Sequence, residues 1–333
     1  MITFRFTQEE AEHIQQLAQQ LVRDYPDCES SEFTEMAAVY AHELPFRLRS
    51  ELNRFRVAEH SGAVIVSGYP TDPVQLGPTP RHWKEPTDNV CVREREVVLV
   101  LLGSLLGDIF GWATQQNGKI VHNILPIPGH EKEQLGSSSE ELLWWHTEDA
   151  FHPYRPDYLG LMCLKNPDRV PTTYVCIDDI ELDVAAKQLL LEREYVIRPD
   201  NSHKPTHNEV RADGHFEKIA KMETSPDKVS VLFGNANLPY MRLDPFFMEL
   251  DHLDDPHRTA LETLIGTIDA RLQNIVLQPG DFAFIDNYKC VHGRQPFYAR
   301  YDGNDRWLKR ICITRNLRSS IDSRVSKESR LVY

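Results

Sequence analysis

His146-Thr-Glu148 stands at the end of the apolar run Leu142-Leu-Trp-Trp145. Side chains alternate along an extended segment, so an imidazole and a carboxylate two residues apart share a face. Far downstream, Cys290-Val-His-Gly293 offers a second imidazole, His292. Two imidazoles and one carboxylate on one face, with the opposite positions open, make the donor set of non-haem Fe(II) chemistry. The dipeptide pattern alone is weak: with 14 His and 50 acidic residues, about two His-x-acid matches arise by chance. His207/Glu209, His215/Glu217 and His252/Asp254 also match, but in polar, Asp-, Asn- and Pro-containing surroundings that read as solvated loops or helix ends. His146 differs because an apolar run precedes it and Asp149-Ala-Phe-His-Pro153 follows, which carries a strand from a core to a rim.

An arginine adds specificity to the set. Asn274-Ile-Val-Leu-Gln278 and Phe282-Ala-Phe-Ile-Asp286 read as strands joined by the tight turn Pro279-Gly-Asp281, a hairpin that delivers His292 just past a strand end. Fourteen residues beyond His292 comes Arg306. Its planar fork suits a carboxylate held by two parallel charge-assisted bonds. Such a group would anchor the far carboxylate of a dicarboxylic cosubstrate whose keto-acid end chelates the metal.

Composition removes several classes of partner. A net charge of -13 and a pI near 5.5 argue against a phosphate backbone, which needs clustered cations. Mean hydropathy of -0.45 with 41% hydrophobic residues is ordinary for a soluble globule, and no apolar run is long enough to span a bilayer. The start Met-Ile-Thr-Phe-Arg-Phe-Thr has no apolar signal core, and Cys28, Cys91, Cys163, Cys176, Cys290 and Cys312 form no Cys-x-x-Cys pair. A cytoplasmic chain with free thiols is expected.

The elements that must position these groups follow the chain. Thr7-Gln-Glu-Glu10 is a capping box ahead of a helix, and a second helical stretch spans roughly 32 to 56 with an interruption near Pro45. Residues 63–68 form a short strand, 69–90 wrap the surface, and Glu94 to Phe110 is apolar enough for a buried helix. Residues 120–126 read as a strand, and residues 128–141, with Gly136, Ser137, Ser138 and Ser139 inside, as a loop beside the metal strand and a candidate lid. Strands at 158–164 and 172–177, a helix at about 180–194, a turn at 198–202, strands at 229–234 and 240–244 and a helix from Asp255 to about 272 follow. Trp307 to Arg315 alternates as a closing strand on which Arg306, Leu308 and Arg310 share a face. Many short strands spaced by turns predict an α+β chain, a double-stranded β-helix (jelly roll) with flanking helices. It is read as one domain over 1–333: helical support to about 60, a core over about 61–317 and a tail over 318–333.

The order His-x-Glu, late His, Arg resembles the clavaminate synthase and taurine dioxygenase branch of the Fe(II)- and 2-oxoglutarate-dependent oxygenases. It is most similar to the free amino-acid hydroxylases typified by the arginine β-hydroxylase of viomycin biosynthesis. The likeness runs through Ala41-His-Glu-Leu-Pro45, Leu106-Gly-Asp-Ile-Phe-Gly-Trp-Ala-Thr-Gln-Gln116, His146-Thr-Glu-Asp-Ala-Phe151, Ile197-Arg-Pro-Asp-Asn-Ser-His203, Phe284-Ile-Asp-Asn287 and Arg300-Tyr-Asp-Gly-Asn-Asp-Arg-Trp-Leu-Lys-Arg310. It implies iron on His146, Glu148 and His292, 2-oxoglutarate on Arg306, and dioxygen as the third reactant. It further implies an amino-acid head held by Gln115, Glu148 and Arg310. Because the carboxylate ligand Glu148 is present, hydroxylation rather than halogenation is expected.

In the arginine enzymes, a pair of aspartates spaced one apart holds the guanidinium. The matching run here is Met241-Arg-Leu-Asp-Pro-Phe246, which keeps Asp244 and puts Phe246 in place of the second carboxylate. A guanidinium with five donors wants two acceptors, whereas an ammonium is served by one carboxylate and neutral oxygens. The expected substrate is therefore free L-lysine, hydroxylated at C4 rather than C3, with Asp244 and Asp200 or Ser202 receiving the ε-ammonium. The alternatives are arginine, ornithine or a cyclic guanidino amino acid, a non-catalytic jelly roll that binds metal or amino acid, and a hydroxylase of carrier-bound residues.

Overall fold

The computed structural model describes residues 1–208 and 214–333; Glu209, of the His207/Glu209 match, lies outside the described residues. The strands in chain order are β1 (Ile2–Arg5), β2 (Ala63–Ser67), β3 (Asp108–Trp112), β4 (His122–Ile124), β5 (Leu143–His146), β6 (Tyr158–Lys165), β7 (Thr172–Cys176) and β8 (Val196–Ile197). They continue with β9 (Leu232–Asn235), β10 (Leu238–Met241), β11 (Met248–Glu249), β12 (Gln273–Ile275), β13 (Phe282–Asp286), β14 (Cys290–Arg294), β15 (Trp307–Thr314) and β16 (Leu331–Val332). The larger sheet runs β1-β2-β13-β6-β15-β3-β16, with β4 also on β15, and the smaller runs β12-β7-β14-β5. The facing surfaces enclose Ala63, Leu161, Tyr174, Ile275, Ile285 and Leu308. This is the jelly-roll sandwich expected from the strand pattern.

Both sheets are also covered on their outer sides, so their strands are buried on two faces. Helices α1 (Gln8–Asp24), α2 (Ser31–Tyr40), α3 (Phe46–Ala58) and α4 (Val90–Ser104) pack with Phe282, Phe284, Met162 and Ile311 of the larger sheet. Helices α5 (Val184–Leu191) and α7 (Asp255–Arg271) pack with Trp145, Val175 and Val291 of the smaller one. Helix α1 starts at the expected capping box: Thr7 Oγ1 accepts from the Glu10 amide at 3.2 Å, and Glu10 Oε2 accepts from the Thr7 amide at 2.8 Å.

The run 274–286 does not close as a hairpin: β12 pairs with β7 in the smaller sheet and β13 with β2 and β6 in the larger. Four boundaries also differ from the expectations. The apolar stretch read as a helix to Phe110 ends at Ser104, and Asp108–Trp112 is strand β3. Gly107 decides this: a Cβ there would lie 2.3 Å from the Thr314 carbonyl oxygen, so the chain can turn and drop directly onto β15. Residues 318–333 are no loose tail, since β16 pairs in parallel with β3, and the amino-terminal support likewise gives β1 to the larger sheet beside β2. The polar region after residue 203 contains helix α6 (His215–Thr224), which buries only Ile219 fully and so reads in sequence as part of a polar stretch. Among the described residues no helix is long and apolar enough to cross a membrane, and all six cysteines are free.

Candidate active site

Strand pairing brings the two imidazoles together. His292 on β14 lies directly opposite His146 on β5 in the antiparallel register, and their ring centroids are 4.8 Å apart. Glycine next to His292 permits this closeness, because a Cβ at Gly293 would meet the Leu143 carbonyl oxygen at 2.5 Å. Glu148 Oε2 lies 3.2 Å from His292 Nε2 and 3.7 Å from His146 Nε2. His146 Nδ1 is 2.8 Å from the Trp144 carbonyl oxygen. A carbonyl only accepts, so Nδ1 carries a proton, and the lone pair of the neutral ring is on Nε2. Burial opposes the charged ring, but Glu148 and Asp244 raise its pKa to about 9, so a metal would displace the second proton.

Glu148 itself lies beyond the strand end and is fixed by its backbone. Asn287 Oδ1 accepts from the Glu148 amide at 2.6 Å, while Asn287 Nδ2 donates to the carbonyls of Glu148 at 3.0 Å and Pro156 at 2.9 Å. One residue earlier, the Thr147 amide donates to the Leu243 carbonyl at 2.8 Å, which ties this strand to the segment bearing Asp244. Burial opposes a charge on Glu148, but Arg310 and the two imidazoles hold its carboxyl well below the usual range. Arg310 Nη1 donates to Glu148 Oε1. Arg310 Nη2 donates to Gln115 Oε1 at 2.8 Å and to His122 Nδ1 at 2.7 Å.

Arg306, Leu308 and Arg310 line one pocket with the three clustered groups, as the alternation predicts. Lys309 points the other way, to Glu96 Oε1 at 2.6 Å. Arg306 is buried and donates to Thr172 Oγ1 at 3.2 Å. Among the described residues no carboxylate pairs with it. Burial pushes its pKa down to about 10, which still leaves it cationic at neutral pH.

Asp200, Ser202 and Asp244 line the same pocket, as do Phe246 and Phe247. Asp200 caps the short turn Asn201–His203: its Oδ1 accepts from the Ser202 amide at 2.8 Å and from Ser202 Oγ. Ser202 Oγ in turn accepts from Gln115 Nε2 at 2.6 Å. A second buried group, Asp149 and His203, stands behind them, with His203 Nε2 2.9 Å from Asp149 Oδ1 and Trp112 Nε1 donating to Asp149 Oδ2 at 2.6 Å.

The candidate lid divides in two. Gly136 and Ser137 line the pocket, and His130 Nδ1 is 2.8 Å from Ser137 Oγ while its ring meets that of His207 edge-on at 5.3 Å. Ser138 and Ser139 are buried and fastened to Arg294, which donates to Ser138 Oγ at 2.7 Å and to the Ser139 carbonyl at 3.1 Å. That half is a strut, not a flap. Gln134 also stitches the segment to β5, accepting from the Trp144 amide at 3.0 Å and donating to the Leu142 carbonyl at 2.9 Å.

Residue types and spacing pointed to His146, Glu148, His292 and Arg306, and the family resemblance to Gln115 and Arg310 and to the Asp244 region; neither gave a role to His122, Asn287, Thr172, His130, Gln134, Arg294 or the Asp149–His203 pair. Asn287 and His203 did lie in runs that resembled the family, and Gly293 after His292 hinted at a close strand approach. The decoys His215/Glu217 and His252/Asp254 lie elsewhere, at the starts of α6 and of the turn before α7.

No family model matches the chain. The enduracididine beta-hydroxylase of Streptomyces hygroscopicus is 44% identical over the full length of both chains. The L-ornithine/L-arginine 3-hydroxylase of Catenulispora acidiphila is 45% identical over 93% of each. A crystal structure of the non-haem iron oxygenase OrfP with Fe, succinate and (3S)-hydroxy-L-Arg is 40% identical, covers both chains completely and superposes with a TM-score of 0.97. These likenesses run the length of the chain, and they set aside a non-catalytic binding role. The chain belongs to the non-haem iron, 2-oxoglutarate-dependent amino-acid hydroxylases.

Proposed function

We propose that the chain hydroxylates C3 of a free basic amino acid of the arginine type. The observation that carries this reading is a pair of carboxylates, Asp200 and Asp244, in one pocket with the His146, Glu148 and His292 cluster. Burial pushes the Asp244 carboxyl up to about 7, eased by His146 and reinforced by the charge of Asp200. A cation between the two relieves both burial and repulsion. The second acceptor that a guanidinium needs is thus available from a different element, although Phe246 occupies the neighbouring position in sequence. Phe246 instead presents an aromatic ring at the pocket, against which a flat cation can stack.

This replaces the lysine expectation, which gave Asp244 with Asp200 or Ser202 to an ammonium because Phe246 stands where a second aspartate would, and takes up the arginine or ornithine alternative. The relatives named as L-lysine 4-hydroxylases are 27% to 29% identical, against 44% and 45% for the two above.

The donor set fits an iron ion. One ligand atom from each of His146, Glu148 and His292 lies within 4.8 Å of the others, and the hydrogen bond at Nδ1 leaves Nε2 as the ligand atom of His146. These residues would hold the metal, and Arg306 with Thr172 would hold the far carboxylate of 2-oxoglutarate. Iron with 2-oxoglutarate and dioxygen supplies the oxidising power to place a hydroxyl on an unactivated C–H bond, releasing succinate and carbon dioxide. Gln115, Glu148 and Arg310 would orient the amino-acid head, and Asp200 with Asp244 its cationic end. A substrate fixed at both ends presents one stretch of its carbon chain to the metal.

The test is incubation with Fe(II), 2-oxoglutarate and oxygen against L-arginine, L-ornithine, a cyclic guanidino amino acid and L-lysine, read by mass spectrometry and succinate release. A one-oxygen gain on an arginine-type substrate, placed at C3 by NMR, is expected. Turnover of lysine alone would overturn the assignment.

A further inference from the structure

His122 has no part in the chemistry described so far, yet it is buried against the pocket. We propose that His122 is a positioning residue: held as the Nε2–H tautomer, it fixes the Arg310 guanidinium so that one oxygen of Glu148 is reserved for Arg310 and the other for the metal.

Backbone pairing sets the contact first. His122 on β4 is the direct cross-strand partner of Arg310 on β15. Strand β4 has only three residues and is held in place from outside its ladder. Gln116 brackets Asn123, donating to its carbonyl at 2.8 Å and accepting from its amide at 3.0 Å, and Trp307 Nε1 donates to Asn123 Oδ1 at 2.8 Å.

The donor and acceptor inventory then sets the tautomer. His122 Nε2 is 2.9 Å from the Lys119 carbonyl oxygen, which can only accept. His122 Nδ1 is 2.7 Å from Arg310 Nη2, which can only donate. The imidazole is therefore a neutral acceptor toward Arg310, in keeping with the burial and the adjacent guanidinium that hold its pKa well below the ordinary value.

The consequence reaches Glu148 in two steps. Both Nη2 protons of Arg310 are taken, by His122 and Gln115, which fixes the plane of the fork and directs Nη1 to Glu148 Oε1. Oε2 is left facing both imidazoles. Chelation of the metal by both carboxylate oxygens would make Oε1 share its electrons between Arg310 and the metal, so the arrangement favours a one-oxygen ligand and keeps the remaining metal positions open.

The inference rests on the reading of Glu148 as a metal ligand, but its first test does not. In metal-free protein, nitrogen-15 NMR of the imidazoles reads the tautomer directly: His122 protonated at Nε2 only, from pH 6 to 8, is expected, and an Nδ1–H tautomer or an imidazolium overturns the proposal. The second test compares His122→Asn, whose amide oxygen can stand in for Nδ1, with His122→Phe. His122→Phe is expected to lose about tenfold in Co(II) affinity, to change the visible spectrum of the bound Co(II), and to raise the amino-acid KM more than it lowers kcat. His122→Asn should restore all three. Wild-type Co(II) affinity and spectrum in His122→Phe, or no recovery in His122→Asn, would overturn it. Neither Co(II) reading depends on which amino acid is the substrate.

Discussion

The two ends of the pocket are built differently. At the metal end, His146 and His292 face each other across an antiparallel pair whose register shifts just beyond His292, and Glu148 follows on the same chain, gripped by Asn287. At the far end, Asp200 caps a three-residue turn and Asp244 precedes a proline between short strands. Period-two alternation governs the first, and packing between segments 44 positions apart governs the second. On the proposed assignment, the reaction type follows from a local His-x-Glu pattern completed by one strand pairing, and the choice of amino acid from loops that meet only in the folded chain.

Four experiments would break or sharpen this contrast, starting with the metal end. Glu148→Ala removes a metal donor and leaves Arg310 buried without its carboxylate. Turnover should fall on the order of 1000-fold or more, with loss of Co(II) binding. Succinate production within tenfold of wild type would mean that the metal lies elsewhere.

Arg306→Gln comes next. Breaking a buried, hydrogen-bonded charge pair costs about 2–5 kcal/mol, so KM for 2-oxoglutarate should rise roughly 100-fold while KM for the amino acid changes little. A rise confined to the amino acid would exchange the assigned roles of Arg306 and Arg310.

At the far end, Asp244→Asn should raise KM for the arginine-type substrate about 30-fold with little effect on kcat, because the interaction is equal in ground and transition states. An unchanged KM would leave Asp200 as the sole carboxylate in contact with the cation.

The smallest effect is pH. Asp244 is pushed up to about 7 in the free protein, and a cationic substrate binds its ionised form. Protons compete below that value, so the substrate KM should rise severalfold as pH falls from 8 to 6. A flat profile in Asp244→Asn would assign the effect.

The same contrast explains what was legible in the sequence. The His-x-Glu donors and the shared face of Arg306, Leu308 and Arg310 follow from alternation, whereas the Pro-Gly-Asp turn at 279–281 reads as a hairpin and instead carries the chain from the smaller sheet to the larger. The end of α4 was missed because an apolar run does not change character where a helix becomes a buried strand; contact at Gly107 decides it. Strand β16 was missed because two residues cannot show a period. Asn287 and His122 act through backbone groups and strand register, which leave no spacing signature. The far end misled more directly: Phe246 was read as a lost acceptor and Asp200 as a partner for an ammonium, whereas Asp200 and Asp244 line one pocket and the two carboxylates suit a guanidinium as well.

Strand β5 is the outermost strand of its sheet, and its open side is dressed by the side chain of Gln134. A metal ion gripped by His146 and His292 is then a cross-link between β5 and β14, made outside the hydrogen-bond ladder. Metal loading would then also stabilise the fold, since anything that binds the folded form alone stabilises it. Iron supply would therefore govern how long the polypeptide survives as well as how fast it turns over. Under iron starvation the unriveted edge, with the 128–141 segment stitched to it, is where a protease would enter first.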